Sequence, residues 1–233
     1  MAHPEFAAKA LDRDQMARRV AAELQSDWVV NIGIGMPTKV IPHVPAERDI
    51  IFHSENGIIG MGPEIDGVNE VDNDLLSAGK RPVSLNPGGS FVHHADSFAL
   101  ARNGRLDATI LGAYQVASNG DLANWKLPGA RAGNIGGAMD LAAGARRVLV
   151  MMTHVTGKGE PKLVERLRYP PTALGVVRKV FTDLAVLSVT DKGFHLDEIV
   201  EGLTPEDVQR VTDAPLYWQT APAAIRVLTR EKG

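Results

Sequence analysis

Short apolar runs recur along this chain, and glycine clusters lie next to most of them. Such a run is typical of a buried strand, and a glycine cluster beside it is typical of a tight turn. Helical patterns separate the runs, and alternating strands and helices favour a parallel sheet. We therefore predict an α/β fold, a mostly parallel open sheet with flanking helices. The predicted strands cover residues 28–32, 49–52, 82–85, 108–111, 148–152 and 184–189, and the predicted helices residues 12–25, 136–143 and 204–211, with another after the turn at 33–38.

The connections between these elements favour a single domain over residues 1–233. Residues 60–74 are acidic and lack periodicity, so we expect an exposed loop there. Residues 86–89 have the composition of a turn. There is no internal repeat and no convincing linker. Residues 1–11 and 218–233 are expected to be peripheral or flexible.

Composition excludes several classes of function. The net charge is −3 and basic residues are dispersed, which argues against nucleic acid as a partner. No apolar run approaches the length of a membrane span, so no membrane partner is predicted. The chain has no cysteine, which excludes thiolate catalysis and fits a reducing compartment. We expect a cytoplasmic protein.

A carboxylate, Glu55, follows the strand predicted at residues 49–52. In open α/β sheets, ligands bind where strands end. A lone glutamate after a strand is more often a solvated turn or helix cap, so its neighbours must decide its role.

The common nucleotide and hydrolase motifs are absent. Gly33 and Gly35 follow a strand, but Thr38 stands where a dinucleotide fingerprint needs a third glycine. Their turn can still present backbone amides to an anion, with Asn31 just before it. The chain contains neither a P-loop nor a G-x-S-x-G elbow.

The histidines do not indicate a metal site. His93 and His94 are adjacent, so on a strand they point to opposite faces, and on a helix they diverge. His53 and His154 each stand alone after a predicted strand. We therefore predict no metal, and expect polar residues that line a pocket or its rim.

Gly136 and Gly137 precede a predicted helix in a glycine-rich connection. Their amides suit either an oxyanion cradle or a simple helix cap, and the residues alone leave both open.

These motifs together resemble the B (β) subunit of the 3-oxoacid CoA-transferases. The resemblance rests on Asn31-x-Gly33-Ile34-Gly35-x-Pro37, on His53-Ser54-Glu55-Asn56-Gly57 and on Gly136-Gly137-Ala138-Met139-Asp140-Leu141. It runs from about residue 16 to residue 216, and the second and third motifs together are highly specific. The same fold also serves phosphosugar isomerases and sugar-sensing regulators, so a non-catalytic binding module is the rival interpretation.

The resemblance implies a ping-pong transfer of coenzyme A between two carboxylic acids. Glu55 would be the nucleophile and would carry a glutamyl-CoA thioester, so CoA is substrate and covalent intermediate and no cofactor is bound permanently. Amides near Gly136 and Gly137 would stabilise oxyanions. Asn31 and Asn56 would serve as positioning groups in the site. Gly33, Gly35 and Gly57 complete the predicted site. An A subunit would be needed to form an active heteromer.

The identity of the acceptor acid is predicted from other segments of the chain. Residues 88–98, with His93 and His94, resemble the 3-oxoadipate (β-ketoadipate) branch, and either histidine could bind the distal carboxylate of 3-oxoadipate. Residues 126–129 and 175–177 instead resemble the acetoacetate branch. We therefore predict transfer from succinyl-CoA to 3-oxoadipate, with acetoacetate as the alternative acceptor.

Overall fold

The structure, a computed structural model, describes residues 4–65 and 72–225. Within these residues the chain forms a large mixed sheet with helices packed on it, and a small three-stranded sheet. The helices are α1 (Arg13–Glu23), α2 (His94–Arg102), α3 (Ala138–Gly144) and α4 (Pro205–Arg210), with 3₁₀ helices at Pro4–Phe6 and Met36–His43. The strands are β1 (Val29–Ile32), β2 (Ile51–Ser54), β3 (Ile58–Glu64), β4 (Val83–Phe91), β5 (Ala108–Leu111), β6 (Gln115–Ala117), β7 (Leu122–Ala123), β8 (Val148–Met151), β9 (Leu163–Val164), β10 (Val177–Phe181), β11 (Ala185–Thr190), β12 (Gly193–Val200), β13 (Leu216–Tyr217) and β14 (Ala223–Ile225).

The centre of the large sheet is parallel, as predicted. The strand order is β13-β12-β11-β10-β8-β5-β1-β2-β3-β4, and β14 also pairs with β12. Strands β2, β1, β5, β8 and β10 run parallel, whereas β3–β4 and β11–β12 add antiparallel pairs toward the two ends. In the parallel centre, Asn31 of β1 lies opposite both His53 of β2 and Thr109 of β5.

Side-chain caps begin two of the helices. Asp12 caps α1 with the reciprocal hydrogen bonds of a capping box, in which Gln15 takes part. Thr204 caps α4, and Pro205 is its first residue. Asp12 therefore fixes the start of α1, whose buried face packs into the core.

The predicted loop at 60–74 is wrong for residues 60–64, although residues 72–74 are exposed and outside any strand as predicted, and the predicted turn at 86–89 is wrong. Strand β3 continues to Glu64 and β4 runs from Val83 to Phe91, so 86–89 lie within a strand. The glycines allow this, because a Cβ on Gly60 would lie 2.8 Å from the Cα of Gly89. Register shifts in the pair indicate bulges. Residues 66–71 of the predicted loop lie outside the described residues.

Two other boundaries differ from the predictions. The helix expected after residues 33–38 is the 3₁₀ helix Met36–His43, and an α-helix would not accommodate its interior Pro42 well. Strand β2 begins and ends two residues later than predicted, so His53 lies within the strand rather than after it.

Parts of both terminal regions pack against the domain. Phe6 and Leu11 are buried, and β14 pairs with β12 and buries Ile225. Residues 226–233 lie outside the described residues. The assignment of 1–233 to a single domain remains a prediction.

Candidate active site

Glu55 lies in the tight turn that joins β2 to β3. The Gly57 amide donates to the Ser54 carbonyl at 3.0 Å, and the Val92 amide donates to the Gly57 carbonyl at 2.9 Å. Gly57 has φ +112°, and a Cβ there would lie 2.3 Å from the carbonyl oxygen of Val92. Gly57 is therefore required for the turn and its packing, which place the preceding Glu55 at the end of the parallel strands.

The Gly136–Gly137 turn lies close to the Glu55 carboxylate. The backbone amide of Gly137 is close enough to that carboxylate to favour its charged form. A Cβ on Gly137 would lie 2.4 Å from Cζ of Phe98 and 2.7 Å from Oε2 of Glu55. A Cβ on Gly136, which has φ +49°, would lie 4.0 Å from Oε1 of Glu55. The two glycines thus bring backbone amides close to a carboxylate where a larger residue would not fit.

Two open cavities share a border formed by Glu55, Gly136 and Gly137. The first cavity, of about 430 Å³, is also lined by the turn after β1 and by residues 111–114. The second, of about 490 Å³, is lined by α2 and the start of α3. Gly33 also lines the first cavity, and a Cβ there would lie 2.6 Å from the carbonyl oxygen of Ile110.

Glu55 is half-buried, and its electrostatics combine opposing effects. Burial raises the pKa of the Glu55 carboxyl, while the nearby His94 and the Gly137 backbone amide act to lower that pKa, and the net direction is upward. A carboxylate that has lost much of its water and accepts few hydrogen bonds is well suited to attack a carbonyl carbon.

The two adjacent histidines have different environments. His94 lines the second cavity, where its ring centroid lies 4.9 Å from that of Phe98. His93 instead caps α2, because its Nδ1 accepts from the Ala95 amide at 3.2 Å. Only His94 of the pair is therefore placed beside Glu55.

Besides His93 and Gly57, three further predicted site residues line neither of these two cavities. Asn31 is completely buried and uses its amide within the sheet. Asn56 donates its side-chain amide to the Leu76 carbonyl at 2.7 Å. Gly35 lines a separate cavity of about 320 Å³ with Arg13 and Lys39. Direct contact of Asn31 or Asn56 with a ligand in the two cavities at Glu55 is not supported by these positions.

The structure adds three residues that sequence reasoning missed. Phe98 and Arg102 line the second cavity, and the Arg102 guanidinium pairs with Asp140 at 2.8 Å. Ser97 is completely buried and donates to the backbone carbonyl of Glu55 at 2.8 Å. All three residues lie on α2, but the sequence contains no pattern that places this helix over Glu55.

Among the described residues, no group of three or more histidine, aspartate or glutamate side chains could hold a metal ion. No helix in that part of the chain is long and apolar enough to cross a membrane.

Comparison with known proteins defines the class. The sequence model of the family "Coenzyme A transferase" matches residues 13–210. The B (β) subunit of the 3-oxoadipate CoA-transferase of Acinetobacter baylyi is 48% identical over 207 residues, 88% of this chain and 95% of that relative. The B (β) subunit of the succinyl-CoA:3-ketoacid coenzyme A transferase of Helicobacter pylori is 42% identical over 203 residues, 87% and 97% of the two chains.

The chain therefore belongs to the CoA-transferase family, as a B (β) subunit of the 3-oxoacid type. It is an enzyme subunit of the class EC 2.8.3.-, and the family predicted from the Ser-Glu-Asn-Gly and Gly-Gly-Ala-Met-Asp-Leu motifs is confirmed.

The fold is also confirmed by solved structures. An acyl-CoA transferase of Escherichia coli O157:H7 (YdiF) superposes with a TM-score of 0.75 at 20% identity and covers 95% of this chain. This chain spans about half of that one, 46% of its length. At this identity the likeness shows the fold alone.

Proposed function

We propose that this chain, assembled with an A subunit, transfers coenzyme A from succinyl-CoA to a 3-oxo acid through a thioester on Glu55. One observation carries the proposal: the Glu55 carboxylate lies against the backbone of Gly137, on the border of two cavities. Such a carboxylate is open to a thioester on one side and to an acid on the other.

The first half-reaction forms the thioester in two steps. A carboxylate oxygen of Glu55 attacks the thioester carbon of succinyl-CoA, so that a C–O bond forms, the C–S bond breaks and the CoA thiolate leaves. The thiolate then attacks the Glu55 carbonyl carbon of the mixed anhydride, and succinate departs. The acceptor acid repeats both steps in reverse and leaves as its CoA thioester, which restores the Glu55 carboxylate. No proton or external energy source is needed.

Gly137 supports the step at the Glu55 carbonyl. Its backbone already lies beside a Glu55 oxygen, and this carboxyl supplies the oxyanion when the thiolate attacks. A fixed donor at a developing oxyanion accelerates acyl transfer, and its loss typically costs about 10²–10³ in rate. The oxyanion role predicted for the Gly136–Gly137 turn is thus favoured over that of a simple cap.

The acceptor is proposed to be 3-oxoadipate. The A. baylyi relative named for 3-oxoadipate is 48% identical, against 42% for the H. pylori relative named for 3-ketoacids. The second cavity adds physical support, because His94 and Arg102 offer cationic or donor groups for the distal carboxylate. The names of both relatives as B subunits support the A-subunit partner.

The test is peptide mass spectrometry of the enzyme co-expressed with its A subunit and incubated with succinyl-CoA. A CoA adduct is expected on the peptide containing Glu55, and 3-oxoadipate should discharge it faster than acetoacetate. Glu55→Gln should form no adduct, whereas Glu64→Gln, a carboxylate on neighbouring β3, should form it normally. An intact assembly that binds CoA without an adduct would refute covalent transfer and favour a binding role.

Acid specificity has its own test at the histidine pair. His94→Ala should raise KM for 3-oxoadipate roughly 10- to 100-fold, since a hydrogen bond to a charged group contributes about 1.5–3 kcal/mol. Its effect on KM for acetoacetate should be much smaller, because acetoacetate has no distal carboxylate. His93→Ala, which removes a helix cap, is the matched control. Equal changes for both acids would remove the role proposed for His94.

A further inference from the structure

Three polar side chains meet inside the parallel sheet behind Glu55. Asn31, His53 and Thr109 lie opposite one another on β1, β2 and β5, and each is at most 1% exposed. Thr109 Oγ1 lies 2.9 Å from Asn31 Oδ1, and Asn31 Nδ2 lies 3.0 Å from His53 Nδ1. Buried polar groups at such distances form a connected network rather than separate contacts.

The network continues out of the sheet to the proposed nucleophile. His53 Nε2 lies 2.8 Å from Ser97 Oγ on α2, and Ser97 Oγ lies 2.8 Å from the backbone carbonyl oxygen of Glu55. Ser97 is also completely buried. Four hydrogen bonds therefore connect Thr109 to the main chain of Glu55.

The chemistry of the groups determines the direction of every bond. The Asn31 amide nitrogen can only donate, so His53 Nδ1 must be the unprotonated acceptor. The proton of a neutral His53 is then on Nε2, which donates to Ser97, and the Ser97 hydroxyl is left to donate to the Glu55 carbonyl. Burial lowers the pKa of His53 to about 4, which is consistent with a neutral ring.

The Glu55 turn has further anchors on its other sides. The Ser54 hydroxyl accepts from the Ala78 amide at 3.0 Å, and the Gly57–Val92 contact closes the turn. Ser97 thus restrains the one main-chain carbonyl that belongs to Glu55 itself. A reacting group displaced by about 1 Å can lose about 10²-fold in rate, so this restraint bears on catalysis.

We propose that His53 and Ser97 are positioning residues for the transfer reaction, with Asn31 and Thr109 fixing the tautomer of His53. Through the Glu55 carbonyl they keep the carboxylate against the Gly137 backbone and between the two cavities. This assignment rests on the proposed function of Glu55. It gives Asn31 an indirect role in place of the ligand contact predicted from the sequence.

A second buried histidine provides a matched control. His154 is 0% exposed, and its ring nitrogens lie 2.9 Å from Thr182 Oγ1 and 2.8 Å from Thr212 Oγ1. Thr212 donates to the Val208 carbonyl, as Ser97 donates to that of Glu55. The two networks are alike in burial and composition, but this one ends in α4.

The experiment measures the rate at which the Glu55 thioester forms in one turnover, using the assembled enzyme and succinyl-CoA. In Ser97→Ala this rate should fall about 10- to 100-fold, with KM for succinyl-CoA unchanged. Thr212→Val should lower the thermal midpoint comparably but keep the wild-type rate. His53→Gln should restore most of the rate that His53→Leu loses, because a glutamine amide can accept from Asn31 and donate to Ser97.

The outcomes separate this inference from the proposed function. If wild-type enzyme forms no thioester, the proposed function fails and the positioning role fails with it. If wild type forms the thioester and Ser97→Ala forms it at the same rate, only the positioning role is refuted. Equal losses of rate in Ser97→Ala and Thr212→Val would refute it as well, because the effect would then be one of general stability.

Discussion

His53 and His154 are two buried histidines that differ in what lies beyond them. Each is at most 1% exposed and each ring is held by two polar side chains. The hydrogen-bond network of His53 reaches the main-chain carbonyl of Glu55, whereas that of His154 reaches the main-chain carbonyl of Val208 in α4. Burial and bonding are therefore poor guides to a histidine's role, and the end point of its network is the informative feature.

The same contrast applies to the glycines of the two regions. Gly137 and Gly157 both lie in connections near a buried histidine network, but a Cβ on Gly137 would strike Phe98 and Glu55, whereas one on Gly157 would meet no atom within 4 Å. Of these two glycines, only the one beside Glu55 is closely packed, where the reacting atoms must be held.

The largest expected effect separates these two glycines. Gly137→Ala should lower the rate of CoA transfer about 10²–10³-fold, because the added methyl displaces the Glu55 carboxylate from the Gly137 backbone amide. Gly157→Ala should leave the rate unchanged. Steady-state assays of CoA transfer by the assembled enzyme check both variants, and a wild-type kcat for Gly137→Ala would contradict the crowding at Glu55.

An effect of intermediate size is the loss of folding free energy at low pH, which should be similar for His53 and His154. Burial lowers the pKa of His53 to about 4 and that of His154 to about 3, with Lys162 adding to the effect at His154. Since the unfolded chain takes up protons near pH 6.5 and the folded chain does not, each histidine costs about 1.4 kcal/mol of folding free energy per pH unit as the pH falls below 6.5. This loss ends near pH 4 for His53 and near pH 3 for His154.

Urea unfolding at pH 7, 6 and 5 measures this slope. His53→Gln and His154→Gln should each make the free energy of unfolding less dependent on pH, and by similar amounts, although only His53 contacts the proposed site. A slope that either variant leaves unchanged would show that the corresponding histidine titrates over the same pH range in the folded and unfolded chains.

The smallest effect is expected at the far end of the His53 network. Thr109→Val removes the donor to Asn31 Oδ1 and should slow thioester formation about twofold to thirtyfold, in line with couplings of roughly 0.5–2 kcal/mol through packed networks. Single-turnover mass spectrometry, with Thr212→Val as reference, provides the measurement. A rate equal to that of the reference variant would limit the positioning role to His53 and Ser97.

Local patterns predicted the parts of the fold that depend on local chemistry. The Asp12 and Thr204 caps and the parallel strands at 108–111 and 148–151 follow from neighbouring residues. Strands β10 and β12 were not predicted, because they mix polar and apolar residues and gain stability from their neighbours in the sheet. Residues 60–64 of β3 and 86–89 of β4 were predicted as loop and turn because their glycines, which usually break strands, here allow close approach of the two strands.

The sequence by itself determined the class of protein and the identity of its proposed nucleophile. The Ser-Glu-Asn-Gly and Gly-Gly-Ala-Met-Asp-Leu motifs are short and contiguous, so they can be read without knowing what lies opposite them. Only the tertiary structure decided which residues accompany Glu55. It placed His94 rather than His93 beside the carboxylate, and it connected Thr109, Asn31, His53 and Ser97, which lie up to 78 positions apart. The reason is physical: strand register and helix packing bring these groups together, and no local pattern records which residues will face one another across a sheet.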